Sequence, residues 1–221
     1  MLSSQKIISL IRVNNVRSNI NTVKYFSQKV CTDINQALEG IGDGASLGMG
    51  GFGICGVPEN LIKGLKAKGS KNLTVVSNTA GTEDFGVGTL LKNKQVKRIL
   101  ASYVGGNKHF EREYIEGRLE VELIPQGTLA QKLHCGGSGI PAFYTHTGAN
   151  TIVERGGLPI KYIEKGGAAK EEVLHCDGSK PAKHPVKFAT EMEPEIVSKP
   201  RSTAIFNGQK YLLEESIVTS S

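Results

Sequence analysis

Asp43-Gly-Ala-Ser-Leu-Gly-Met-Gly-Gly-Phe-Gly-Ile-Cys-Gly-Val-Pro58 constrains the fold more than any other stretch of the chain. It reads as a short strand over about 45–49 that opens into a glycine-crowded loop and then into a helix. Gly48, Gly50, Gly51, Gly53 and Gly56 leave this backbone without Cβ atoms. Bare backbone turns at positive φ and brings its N–H groups close to a ligand. Pro58 suits a first helical position, where its missing N–H has no intrahelical acceptor to lose. A helix entered in this way favours an anionic group at its N-terminus.

The same rhythm continues downstream. Residues 58–68 place Leu61, Ile62 and Leu65 on one helical face, and Gly69 ends the helix. A β-branched strand over 72–78 follows, then a loop over 78–81. A helical stretch near 85–92, a strand over 96–102, a helix over 108–116 and an alternating strand over 119–124 come next. Pro125-Gln126-Gly127 breaks the pattern, and 128–134 reads as a helix closed by Gly136-Gly137. Upstream, Thr32-Asp33 caps a short helix that runs to about residue 40. This alternation predicts an α/β fold with an open, largely parallel sheet flanked by helices. Right-handed crossovers then gather the loops at 50–56, 77–81, 103–107 and 125–127 on one edge, where open α/β sheets bind ligands. The C-terminal part is loop-rich by the same reading. Residues 136–148 carry loop composition, and about 164–199 is a polar insert with little periodicity. A hairpin around Asn207-Gly208 closes the pattern.

Charge bears on partners. The net charge is +6, but five of the 27 Lys and Arg lie in residues 1–32, which hold no acid. The remainder carries 22 bases against 21 acids, without the basic stripe of a nucleic-acid binder. The leader is basic and rich in Ser and Asn, and its apolar residues are interrupted by charge. It is too broken to span a bilayer, so no membrane insertion is expected, and residues 1–31 read as a mitochondrial transit peptide leading to the matrix. Residues 32–221 form the remaining domain. Cys31, Cys55, Cys135 and Cys176 are scattered and predict reduced thiols.

Several chemistries are excluded. Gly48-x-Gly50-x-x-Gly53 matches a dinucleotide fingerprint by letters. The helix, however, waits until Pro58, and the second strand ends in Ser77-Asn78 with no acid at its tip. Ser138 stands in Cys-Gly-Gly-Ser-Gly, the wrong frame for a nucleophile elbow. His109, His134, His146, His175 and His184 lack metal-ligand spacing, so no metal is expected, and His109 and His134 read as helix-surface residues.

Gly50-Gly-Phe-Gly-Ile-Cys-Gly-Val-Pro-Glu-Asn-Leu-Ile62 resembles the N-terminal signature of the class I CoA-transferases. Val75-Val-Ser-Asn78, Ser102-Tyr-Val-Gly105, Glu120-Val-Glu-Leu-Ile-Pro-Gln-Gly-Thr-Leu129, Gly139-Ile-Pro-Ala-Phe-Tyr-Thr145 and Asn207-Gly-Gln-Lys-Tyr211 continue the resemblance in order. Within the family the chain is similar to the α half of mitochondrial enzymes that act on 3-keto acids. The resemblance implies CoA transfer from succinyl-CoA to a 3-keto acid such as acetoacetate, with CoA as substrate and no cofactor. It also implies a covalent thioester on a glutamate of a β-type subunit or domain, within Ser-Glu-Asn-Gly. That motif is absent here, so no catalytic residue is assigned to this chain. The resemblance places Gln126 against the substrate carboxylate and lines the same pocket with Gly50, Gly51 and Asn78.

Three departures stand out. Thr79 replaces a second Asn, Gly106 replaces a Glu, and the insert is longer than the family pattern. Set against that pattern, the sequence stops ahead of the last α-half strand and of the β half. This predicts exposed apolar surface and a hetero- or homo-oligomeric partner. The alternative is a truncated, non-catalytic paralogue that binds an acyl-CoA or carboxylate, or serves as an interaction module.

Overall fold

The computed structural model describes residues 31–163 and 192–219. The leader expected over 1–31 therefore lies outside the described residues save for Cys31, as does the 164–191 part of the polar insert, including Cys176. The chain divides between Thr32 and Asp33, and the architecture below is that of the second unit.

Asp33 caps α1 (Ile34–Ala37), its side chain accepting from the Asn35 N–H at 3.1 Å. β1 (Ser46–Gly48), β2 (Leu73–Val76), β3 (Val96–Ala101) and β4 (Glu120–Leu123) form a parallel sheet in the order β1-β2-β3-β4. The crossovers are α2 (Glu59–Lys68), α3 (Gly88–Lys92) and α4 (Lys108–Ile115). Strand order never reverses, so right-handed crossovers put all three helices on one face. The side chains agree, because alternate strand residues point to opposite faces. Val75, Ile99 and Val121 pack with Val87, Leu91 and Phe110 from the α3 and α4 region, and Leu47 and Leu73 pack with Ile62 and Leu65 of α2. Val76 and Leu100 face the other way, onto Leu129 and Leu133 of α5 (Gln126–Gly137) and onto Ile217. Gln95, almost fully buried, donates to the Leu65 and Ser70 carbonyls and joins α2 to the entrance of β3.

The predicted α/β class and parallel sheet are what the chain adopts. The boundaries shift at three helices, and α1 ends at Ala37 rather than near residue 40. The α3 helix starts at Gly88 rather than near residue 85, because Thr82 and Phe85 close a miniature hairpin first. The α5 helix starts at Gln126 and includes Gly136 and Gly137, where the sequence predicts 128–134. Pro125 supplies a helix-ready φ of −53° at the cap, so Gln126 and Gly127 enter the first turn. Gly136 lies directly beneath the chain at Ile217, whose carbonyl oxygen a methyl would overlap, a long-range contact that local propensity does not carry.

Among the described residues the loop-rich C-terminal part holds five short strands and α6 (Ile152–Arg155). β5 (Ala142–Thr145), β9 (Gln209–Glu215) and β8 (Thr203–Phe206) make an antiparallel sheet in the order β5-β9-β8, while β6 (Pro159–Tyr162) pairs with β7 (Pro194–Val197). The expected β8–β9 hairpin is present, with Asn207 and Gly208 both at positive φ, 49° and 75°. The loop reading of 136–148 missed β5, and the insert reading of 164–199 missed β7. Both strands are four residues long and gain their pairing from distant partners.

One charged network ties the two parts together. Lys132 of α5 meets Glu214 of β9 at 2.6 Å, and Arg201 meets Glu214 at 3.2 Å and Glu122 of β4 at 3.6 Å. Arg98 of β3 completes the line to Glu122 at 2.6 Å. The Lys132 and Glu214 side chains are only 8% and 3% exposed, so this pair is buried and must stay paired. Among the described residues no helix is long and apolar enough to cross a membrane.

Candidate functional site

The parallel register aligns the C-terminal ends of the four strands on one rim. Backbone bonding continues past each strand: Met49 N–H to the Val76 carbonyl, Ser77 to Leu100, Ser102 to Asn78, and Ile124 to Ala101, at 2.9–3.0 Å. Val76 pairs with Leu100, so two residues further on Asn78 and Ser102 stand side by side. Gln126 opens α5 beside them.

These three polar side chains converge. Asn78 Nδ2 donates to Gln126 Oε1 at 2.9 Å, and Ser102 Oγ donates to the same oxygen at 2.6 Å. Gln126 itself is exposed, whereas Asn78 and Ser102 are partly covered. Gln126 also occupies the first position of a twelve-residue helix whose N-cap, Pro125, offers no side-chain cap. First-turn N–H groups have no intrahelical acceptor and favour an anionic partner. No Lys or Arg falls within residues 50–57, 77–81, 103–107 or 125–127. This rim therefore offers neutral donors and a helix dipole to an oxyanion, and its loops carry no carboxylate.

The glycine loop lies on the same rim. Phe52 and Cys55 exchange backbone hydrogen bonds at 2.9 and 3.0 Å, closing a miniature hairpin whose Phe52 is 76% exposed. Gly51 sits at φ +128°, and a methyl there would come within 2.9 Å of Val57 Cγ2, so glycine is required. A methyl built on Gly86, in the loop after β2, would lie 3.5 Å from Val57, so the two loops are packed side by side. Of the residues singled out from sequence, Asn78 and Gln126 are thus joined directly. Gly50 and Gly51 share their rim, and no side-chain bond links them to Gln126.

Two departures from the family pattern find local reasons. Thr79 Oγ1 accepts from the Gly81 N–H at 2.9 Å, closing the loop after β2, and Gly106 sits at φ +85°. Ser102 is the member of the cluster that sequence reasoning passed over. Its signal was spacing, because Asn78, Ser102 and Gln126 recur at intervals of 24 residues, one strand–helix unit each.

Other candidates place elsewhere. Cys55 is exposed on the glycine loop, while Cys135 is buried and accepts from Gln131 Nε2 at 3.3 Å. His134 is exposed on α5 as expected, but His109 is only half-exposed, and its Nε2 is enclosed without a partner. His175 and His184 lie outside the described residues. A cavity of about 240 Å³ is walled by residues that include Leu123, Pro125 and Ile160. The charged groups at its wall, Glu122, Arg201 and Glu214, are engaged with one another, so it presents no converging donors. The polar convergence at Gln126 is the better-built site. Tyr114, whose hydroxyl is pushed up by burial and by neighbouring Tyr162, donates to the Pro159 carbonyl at 2.7 Å and belongs to the scaffold.

An open parallel α/β sheet with a glycine loop and neutral donors at its C-terminal rim places the chain among the α/β proteins that bind ligands at that edge. Residues 31–219 match the sequence model of the family described as Coenzyme A transferase, and the chain belongs to that family. It is 46% identical over 189 residues to a rat protein, succinyl-CoA:3-ketoacid coenzyme A transferase 2A, mitochondrial, covering 86% of this chain and 31% of that one. It is 54% identical over 128 residues to the A-type subunit of the Helicobacter pylori succinyl-CoA:3-ketoacid coenzyme A transferase, covering 58% of this chain and 55% of that one. The chain thus spans about a third of the mitochondrial relative and about half of the bacterial one. Among solved structures, an acyl-CoA transferase apoenzyme (YdiF) from Escherichia coli O157:H7 superposes with TM-score 0.58 at 19% identity, covering 85% of this chain and 32% of that one. At that identity the likeness speaks for the fold.

Proposed function

We propose that this chain is the α component of a CoA-transferase that moves CoA from succinyl-CoA to a 3-keto acid such as acetoacetate. The observation that carries the reading is the convergence of Asn78, Ser102 and the exposed Gln126 at the sheet's C-terminal rim. The names of the rat and H. pylori relatives support the substrate class. Gln126 faces the substrate carboxylate, Gly50 and Gly51 let backbone approach the acyl group, and CoA is a substrate with no further cofactor.

None of the three polar side chains is an acid, and the resemblance to the class I CoA-transferases implies that the attacking carboxylate is a glutamate of a β-type subunit or domain. That glutamate attacks the thioester carbonyl of succinyl-CoA, giving a mixed anhydride and releasing the CoA thiolate. The thiolate then attacks the glutamyl carbonyl, leaving succinate and an enzyme–CoA thioester. Acetoacetate repeats the two steps in reverse, yielding acetoacetyl-CoA and the free glutamate. The rim's N–H donors hold the oxyanions that form at each addition. The leader and the mitochondrial relatives support the mitochondrial matrix as the site of action.

The test is reconstitution. The purified chain mixed with a β-type subunit should consume succinyl-CoA only when acetoacetate is present, and Gln126→Ala should slow turnover. Saturable ligand binding with no turnover under any pairing would replace this reading with a non-catalytic carboxylate- or acyl-CoA-binding module.

A further inference from the structure

We propose that Ser102 and Asn78 act as positioning residues that fix the polarity of the Gln126 carboxamide, so that it meets the substrate as an N–H donor. A glutamine amide has two ends of similar shape and opposite polarity, and a free one would present either. Here both partners lie on the same end. Ser102 Oγ is 2.6 Å from it and Asn78 Nδ2 is 2.9 Å from it. A separation of 2.6 Å suits O–H···O and is shorter than an N–H···O bond allows, so the atom facing Ser102 is the oxygen. With the oxygen there, the amide end of Asn78 must also point inward as a donor. Oε1 then accepts twice, which uses both of its lone pairs. Both Nε2 hydrogens are left for the rim, where Gln126 is exposed.

Two further observations support the cradle. The Ser102 N–H donates to the Asn78 carbonyl at 3.0 Å, so the two donors are locked to each other through the backbone as well. The orientation also costs free energy, since Asn78 Oδ1 is buried with no partner. With no Lys or Arg on the rim loops, this preset amide and the start of α5 are what discriminate an anionic oxygen from a donor group. Inverting the amide would turn an attractive contact into a repulsive one.

The kinetic arm of the test rests on the proposed CoA transfer. In the reconstituted complex, Ser102→Ala should raise the KM for acetoacetate about tenfold, the scale of one hydrogen bond to a charged group, with a smaller change in kcat. Ser102→Thr, which keeps the hydroxyl, should recover most of it. Asn78→Asp replaces the donor by an acceptor, turns the Gln126 oxygen outward and should raise KM further at neutral pH. That excess over wild type should shrink as pH falls and the new carboxyl gains a proton it can donate. A merely structural role predicts no such pH-dependent ratio. An unchanged KM in both Ser102→Ala and Asn78→Asp, or a flat ratio, overturns the inference. If wild type transfers no CoA, the functional reading fails while this one is still decided. The Gln126 side-chain NH₂ resonances of the full chain should shift on titration with succinate and lose that response in Asn78→Asp, and no shift in wild type overturns it.

Discussion

Gly136→Ala sets local propensity against tertiary packing and so tests how the α5 face is covered. Gly136 lies inside the helix, where exchanging Gly for Ala contributes about 1 kcal/mol to stability if nothing else changes. The chain at 216–218 changes that. An ideal methyl at Gly136 would overlap the Ile217 carbonyl oxygen and sit 2.7 Å from its carbonyl carbon, where ordinary contact begins at 3.4 Å. The carbonyl carbon alone must retreat by roughly 0.7 Å, and the overlapping oxygen by more. Its anchor is the Ile217 N–H bond to the Lys132 carbonyl at 3.0 Å, and the Ile217 side chain packs against the cluster of Val76, Leu100, Ile124 and Leu129. Losing that bond costs about 1 kcal/mol, and overpacking adds about 1–3 kcal/mol. Set against the propensity gain, the net is a loss of about 1–3 kcal/mol, with a fall in Tm of about 2–4 °C per kcal/mol. Gly137→Ala is the control, because a methyl there meets nothing within 4 Å. Urea and thermal unfolding of both variants should move in opposite directions. A Gly136→Ala protein as stable as wild type, or more so, would refute the argument that the C-terminal segment is seated on this helix.

Three further outcomes are expected. Lys132→Ala should destabilise by about 2–4 kcal/mol in denaturant unfolding, because it strips one partner from buried Glu214. A Lys132→Ala, Glu214→Ala cycle should recover part of that loss. Asn107→Ala should cost about 1 kcal/mol by the same assay, since its Oδ1 accepts from the Phe110 N–H at 2.9 Å and caps α4. Burial pushes the Glu113 carboxyl up, but its paired bonds from Arg118, at 3.0 and 2.6 Å, outweigh this and hold it below the ordinary value of 4.5. A depressed folded-state value means the contribution is present above the unfolded pKa and is lost as pH falls through the folded one. Unfolding titrated below pH 4.5 should therefore show a steeper acid loss in wild type than in Arg118→Met.

Local pattern determined the strand–loop–helix rhythm from residue 45 to residue 134, because strand alternation, glycine stops and Asn or Asp caps act within a few residues. Asp33, Gly69, Asn107 and Asn207-Gly208 all do in the structure what their chemistry predicts. Parallel strands then placed the rim loops together by geometry, whereas Asn78 and Gln126 were singled out by the resemblance to the class I CoA-transferases. Tertiary structure decided what depends on partners far along the chain. The pairings of β5 with β9 and of β6 with β7, the helicity of Gly136 beneath Ile217, and the ion network from Lys132 to Arg98 have no local signature. Ser102 belongs to this second group. A serine at a strand end carries little information until the register sets it beside Asn78 and within 2.6 Å of Gln126, where its hydroxyl donates to the amide oxygen.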